Sequence, residues 1–259
     1  MTVLATLALA LSSPAAEFPG PCEIIVANSR PPARQSPAPP ADLDRYIACE
    51  MKERQIPGVA IAITQGGRIL TQRAYGLASV QNDAPVTPRT RFEIASITKP
   101  ITAMGIMLLV QDGRIELDSP LSRYLGDAPA DWRRITVRHL LNHTSGLAPI
   151  GHGWVEAEGK TGEDLAAVLS RDRSTAMEYK LALKEKPWFE PGTDWAYSDL
   201  GYFLLGVITE RVSGISWREF MRRRIFAPVG MADTYMLDLW GIYKDEARAY
   251  TMRNGQLSN

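Results

Sequence analysis

The chain has 259 residues, 45% of them hydrophobic and 22% charged, with 29 Lys plus Arg balanced by 29 Asp plus Glu. That is an ordinary globular composition, long enough for one large domain or two small ones. The zero net charge excludes the basic footprint of a nucleic-acid or anionic-membrane binder, and three histidines (His139, His143, His152) and two cysteines show no metal-ligand spacing, so neither metal nor cofactor is expected.

In chain order, "MTVLATLALALSSPAAEFPG" opens the sequence. Val3 to Leu11 is a short apolar core, and Ser13-Pro14-Ala15-Ala16 offers small residues for cleavage. Residues 1–16 therefore read as an export signal, although no Lys or Arg precedes the core, and imply a periplasmic or secreted protein. The apolar run is too short to span a bilayer, and Pro19-Gly20-Pro21 before Cys22 does not suit a lipoprotein. Residues 17–41, rich in Pro, Ala and Ser, read as an extended linker. Export permits a disulfide between Cys22 and Cys49, but a helical pattern around Cys49 favours a small buried thiol there.

The folded region is expected over residues 42–259. Leu43, Ile47 and Met51 recur every four residues and predict an amphipathic helix ended by Pro57-Gly58. Val59 to Thr64, a turn at Gln65-Gly66-Gly67-Arg68, and Ile69 to Tyr75 predict a β-hairpin. Ala103 to Val110 is apolar on every side and predicts a helix buried all round, stopped by Asp112-Gly113. Further helical segments are expected at Thr136 to Asn142, Glu163 to Leu169, Asp199 to Val212 and Trp217 to Ile225. Arg222-Arg223-Arg224 falls in the last of these and reads as a solvated face. Strands and helices do not alternate, which excludes a Rossmann-like sheet. The terminal "AYTMRNGQLSN" gives no further clear strand. A two-stranded sheet is a poor partner for a buried helix, so part of the sheet is expected to be missing from the sequence.

The chemistry centres on "FEIASITKPITA", Phe92 to Ala103. Ser96 and Lys99 are three apart, so on a helix they share a face. Lysine near its ordinary pKa of ~10.4 is no base, but burial disfavours its charged form. A neutral Lys99 could then take the Ser96 proton during attack on a carbonyl, with the positive helix end favouring the developing charge. The spacing alone is a weak signal and fits a capped helix start with a solvent-facing lysine better.

The context extends the pair. Phe92 to Pro100 resembles the first motif of the serine β-lactamase and penicillin-binding-protein superfamily, closest to the class C β-lactamase-like esterases and D-peptidases. "PGVAIAITQGGRILTQRAYG" is similar to that family's first hairpin, and "LLNHTSGL" (Leu140 to Leu147) to its helix-to-loop segment. "FEPGTDWAYSDLGYFLLGVITERVSG" (Phe189 to Gly214) resembles the segment of its second motif, and "IFAPVGMADT" (Ile225 to Thr234) the one after it. The resemblance covers about residues 42–234 in the family's order. It implies an α+β, β-lactamase/transpeptidase-like fold: an antiparallel sheet flanked by helices plus a mostly helical region. It implies Ser96 as nucleophile, Lys99 as base and Tyr197 as proton shuttle, acting through an acyl-enzyme on an ester, amide or D-peptide, or on a β-lactam.

Departures from the family are informative. Its second motif commonly ends in Asn, where this chain has Asp199; a carboxylate there either pairs with Lys99 or caps the following helix, and the cap is the expected role. The family's third motif, Lys-Thr-Gly or His-x-Gly, follows the second on a strand. Lys160-Thr161-Gly162 and Gly151-His152-Gly153 both precede Tyr197 and lie outside any strand pattern, so the third motif and the C-terminal strands are expected to be absent. Losing one oxyanion donor costs about 100- to 1000-fold in rate. A catalytically impaired or non-enzymatic penicillin-binding-like protein, or a truncated fragment, is therefore the alternative. No Gly-x-Ser-x-Gly elbow supports a Ser-His-Asp hydrolase, and His143 reads as a loop anchor. A class A β-lactamase needs a Glu where Arg138 stands. The expected partner is a small-molecule or peptide substrate, with no nucleic acid and no stable membrane span; the oligomeric state is not set by the sequence.

Overall fold

The computed structural model describes residues 42–147, 175–237, 241, 243–253 and 255–258. The apolar start, the linker, the expected helix Glu163 to Leu169, Lys160-Thr161-Gly162 and Gly151-His152-Gly153 all lie outside these residues. The chain divides into two compact units, Met1–Ser96 with Ile242–Asn259, and Ile97–Gly241.

The first unit begins with helix α1, Asp42–Glu53. Met51 lies against the following sheet at Gly76, and Asp44 accepts a 2.6 Å hydrogen bond from the Tyr75 phenol. Cys49 is disulfide-bonded, which corrects the expectation of a buried free thiol. The helix face carrying it is only half buried, so the sulfur is not sealed in a core. The chain's other cysteine, Cys22, lies outside the described residues.

Strands β1, Gly58–Gln65, and β2, Arg68–Ser79, form the expected hairpin, with Val59 opposite Tyr75. The turn residues Gly66 and Gly67 have φ of 57° and 75°. A two-residue turn with both φ positive matches the right-handed twist of the strands, and glycine adopts it without a Cβ penalty. A two-residue strand β3, Ala84–Pro85, adds to β2, giving a three-stranded antiparallel sheet in the order β1-β2-β3.

The C-terminal stretch departs from expectation. Thr251–Arg253 (β4) and Gln256–Ser258 (β5) pair antiparallel as a separate hairpin. Each strand is three residues long with a single large apolar side chain, Met252 or Leu257, so no alternation announces it. The Asn254-Gly255 pair between them was the available signal.

The second unit holds helices α2, Thr98–Gln111; α3, Val137–Leu141; α4, Thr175–Ala182; α5, Asp199–Ser213; and α6, Trp217–Met221, which widens into a π turn over Arg222–Phe226. Helix α4 was not anticipated. The core joins Ile106 and Leu109 of α2, Leu140 of α3, Ala182 of α4, Leu204, Leu205 and Ile208 of α5, and Phe220 and Met221 of α6. Each large aliphatic or aromatic side chain buried this way contributes about 1.5–3 kcal/mol.

The expectation that α2 is buried on every side is corrected. Thr102, Gly105, Ile106 and Leu109 face the core, whereas Met104 and Met107 are 53% and 46% exposed. An all-apolar helix has no pattern to show which side finds neighbours; here α5 and α6 occupy one side. Arg222 and Arg223 pair with Glu219, and Arg224 pairs with Asp112, on the surface as expected. Among the described residues no helix is long and apolar enough to cross a membrane.

Candidate active site

Ser96 sits in a three-residue turn, Ala95–Ile97, that runs directly into α2. The residue before it, Ala95, has φ 42°. A residue with a Cβ is strained in that left-handed region, and such strain gathers at functional turns. Ser96 is exposed, and no side chain caps α2. Lys99 follows in the first turn, its side chain only 12% exposed. The bland reading, a capped helix with a solvent-facing lysine, therefore fails on both counts.

Tyr197 is brought to Lys99 by the turn after α3. His143 follows the end of that helix in a left-handed conformation, φ 62°. From there the chain lies alongside the segment leading into α5. Trp188 donates its amide to the Gly146 carbonyl at 2.8 Å, Gly192 to Thr144 at 2.8 Å, and Ala196 to His143 at 3.0 Å. A Cβ at Gly146 would meet the Phe189 carbonyl oxygen at 2.4 Å, so this approach requires glycine. The Ser198 amide donates to His143 Nδ1 at 3.0 Å, and the imidazole stacks on the Tyr197 ring at 4.6 Å between centroids. His143 thus grips the residues on both sides of Tyr197 as well as its ring. It anchors a loop, as expected, but the loop it anchors carries the second motif.

Lys99 Nζ lies 4.6 Å from the centre of the Tyr197 ring and 5.8 Å from that of Tyr202. The Tyr202 hydroxyl donates to the Leu141 carbonyl at 3.0 Å, and burial pushes its titration upward. Lys99 also forms an ion pair and a short hydrogen bond with Asp199, a hundred residues on. The expected cap role of Asp199 is thereby corrected. Ser198 caps α5, its hydroxyl accepting the Gly201 amide at 3.0 Å. Asp199 is one residue further in, and its carboxylate faces Lys99.

The pairing bears on whether Lys99 is a neutral amine or an ammonium. Burial is the largest influence and pushes the ammonium down, but hydrogen bonds to Asp199 and Tyr197 and the charges of both together hold it above its ordinary value. His143 is pushed below its ordinary 6.5 by burial first and by the Lys99 charge second. Lys99, Tyr197, Asp199, Tyr202 and His143 therefore form one cluster within the second unit. Ser96 is placed by chain continuity, one turn ahead of Lys99. Sequence reasoning missed Tyr202, which lies three residues after Asp199 on α5 and so on the same face. Arg138, at the position where a class A enzyme needs Glu, forms a bidentate pair with Asp118 at 2.6 and 2.8 Å. Among the described residues no three His, Cys, Asp or Glu side chains converge as a metal site.

The Beta-lactamase family model matches residues 43–253. The chain belongs to the beta-lactamase family. Among the family's curated members, it is 35% identical over 188 residues to penicillin-binding protein 4* of Bacillus subtilis (strain 168), covering 71% of this chain and 38% of that protein. It is 32% identical over 201 residues to the esterase EstB of Burkholderia gladioli, covering 74% of this chain and 50% of EstB. Among solved structures, the D-amino acid amidase from Ochrobactrum anthropi SV3 complexed with D-phenylalanine superposes with a TM-score of 0.64 at 30% identity, covering 79% of this chain and 55% of the amidase. The fold is thus the α+β, β-lactamase/transpeptidase-like one that the motifs implied. The chain spans 38% of the length of that penicillin-binding protein and 50% of the length of EstB.

Proposed function

We propose that the chain carries the Ser-x-x-Lys half of a serine hydrolase site, acting on esters or amides through an acyl-enzyme. Ser96 Oγ attacks the substrate carbonyl and loses its proton to the Lys99–Tyr197 pair. The bond to the leaving alcohol or amine then breaks, and Tyr197 returns a proton to that group. Water attacks the acyl-serine ester and gives a proton to the same pair; the bond to Oγ breaks, the pair returns that proton to Ser96 Oγ, and the acid leaves. The observation that carries this reading is the meeting of Lys99 and Tyr197, two residues from motifs far apart in the chain. The strained turn at Ala95 supports Ser96. Relatives bearing the names esterase and D-amino acid amidase support the ester or amide class. An export signal at residues 1–16 and a periplasmic or secreted location belong to the same proposal.

The test compares a chromogenic ester with a chromogenic cephalosporin, using the chain and its Ser96→Ala variant. We expect ester hydrolysis to exceed cephalosporin hydrolysis, and Ser96→Ala to lose at least about 100-fold of it. Equal rates from the variant end the proposal. Labelling of Ser96 by a fluorescent penicillin without turnover replaces it with the penicillin-binding reading.

A further inference from the structure

The Lys99–Asp199 pair conflicts with the simplest use of Lys99. A general base must have its lone pair available, and an ammonium paired with a carboxylate does not. Among the described residues, groups that titrate or carry charge beside Lys99 include Asp199 and Tyr202 from α5, Tyr197 from the segment before α5, and His143 from the turn after α3. Asp199 is the acid among them, and its pairing with Lys99 is direct.

The two partners differ in access to water. The Lys99 side chain is 12% exposed, the Asp199 side chain 43%. Asp199 can therefore be hydrated when it turns toward solvent, whereas Lys99 stays beside the Tyr197 and Tyr202 rings. Once the carboxylate leaves, the enclosure remains and its effect on the ammonium is offset less, by Tyr197 but no longer by Asp199. Burial is already the largest influence on Lys99 and acts to remove its proton. The helix does not need Asp199 for its cap, because Ser198 fills that place. The carboxylate is thus not held in place as the cap.

We propose that Asp199 is a positioning residue that locks Lys99 in its ammonium form, and that opening of this pair unmasks the proton acceptor for Ser96. The proposal rests on the reading of Ser96 and Lys99 given above, and it adds a control that the family's commoner Asn at this position lacks. An amide can hydrogen-bond an ammonium but brings no charge to hold it. The lock makes Ser96 acylation slow at neutral pH and faster as pH rises.

Two readouts test it on the full chain, for wild type, Asp199→Asn and Asp199→Glu. The first is the pH dependence of Lys99 acetylation by a limiting pulse of acetic anhydride, read at the Lys99 peptide by mass spectrometry. It needs no catalysis. The second is the pH dependence of Ser96 acylation by a fluorescent fluorophosphonate. In Asp199→Asn both curves should move to lower pH by about one unit or more, so that Ser96 labelling near neutrality rises about tenfold, since each unit is a factor of ten. Asp199→Glu, which restores the charge, should return both curves toward wild type. Coincident Lys99 curves in wild type and Asp199→Asn overturn the lock. So does a uniform loss of Ser96 labelling at every pH, the mark of a merely structural residue. A shifted Lys99 curve with no Ser96 labelling in any variant upholds the lock and sinks the hydrolase reading instead.

Discussion

At His143 a single residue meets the second motif with its ring, its ring nitrogen and its carbonyl. The Ser198 N–H donates to Nδ1, so Nδ1 must carry a lone pair and the imidazole must be neutral. Protonation would turn that acceptor into a donor facing a donor. Burial first, and the Lys99 charge second, hold His143 below 6.5 in the folded chain. A group with a depressed folded value contributes stability that is complete above the unfolded value and is lost as pH falls through the folded one. The window therefore opens at about 6.5 and extends downward. His143→Phe keeps an aromatic ring on Tyr197 but removes the acceptor. We expect it to cost about 1–3 kcal/mol at neutral pH, because a partly buried amide loses its partner. We also expect the gap to wild type to narrow as pH falls below about 6. Urea unfolding at several pH values checks both, and a gap that does not change with pH sinks the argument. In turnover assays the variant should lower kcat more than it changes KM, since it loosens Tyr197 without touching the substrate.

At the scale of elements, the position of α5 decides the site. Ser198 caps it, and it carries Asp199 and Tyr202 at its start and Arg211 in its last turn. Arg211 donates to Asp127 at 2.7 Å and lies 4.6 Å from the Tyr179 ring of α4, while the Tyr179 hydroxyl also donates to Asp127 at 2.7 Å. This triad ties α4 and α5 through one carboxylate. The Arg211 bond, with help from Tyr179, holds Asp127 at about 2, and burial pushes Tyr179 up to about 12. Asp127's stabilisation is present above its unfolded value of about 3.8 and fades as pH falls toward about 2. Because its side chain is 52% exposed, water screens the pair, and Asp127→Asn should cost no more than about 1 kcal/mol. That cost should shrink between about pH 5 and pH 3. A constant cost over that range, measured by denaturant titration, would mean the charge is irrelevant. None of this triad was legible, because its three residues are distant in the chain and each reads as surface. By contrast α1, the β1–β2 hairpin, α3, α5 and α6 were legible, since periodicity and turn chemistry are local signals. The burial of α2 was misread because its composition is apolar on every side. Asp199 was misread because Ser198 and Asp199 are equally good cap residues in a sequence, and only the fold shows which one is left to face Lys99.

At the scale of the molecule, the sequence carried the motifs of the fold and its order, but not how distant segments of one unit are joined. In the first unit the segment from Tyr243 onward returns to the end of β2 and the strand-like stretch after it. Arg91 donates its amide to the Asp245 carbonyl at 2.7 Å, Ala247 to Arg91 at 2.8 Å, and Arg248 to Ala78 at 2.8 Å. Tyr250 completes the seam with its side chain. Its phenol oxygen accepts the Val80 amide at 2.7 Å and its hydroxyl hydrogen goes to the Gln81 side chain. Backbone bonds of this kind leave no mark in a sequence, because any residue can make them, and one tyrosine near an end carries no pattern. The seam makes a prediction that depends on the join and not on the local helix or strand. Tyr250→Phe keeps the ring and deletes the hydroxyl, so Val80 loses its acceptor and Gln81 its donor. Val80 is 38% exposed, so water recovers part of the bond, and the net cost should be about 0.5–1.5 kcal/mol. The sharper readout is local. Hydrogen exchange at the Val80 amide should accelerate in the variant, while the amides bonded within the β1–β2 ladder keep their protection. If Val80 exchanges at the same rate in both proteins, Tyr250 is not what closes this seam, and other bonds hold it, among them the backbone bonds of Arg91, Ala247 and Arg248 and the Arg91 side chain on the Lys244 carbonyl.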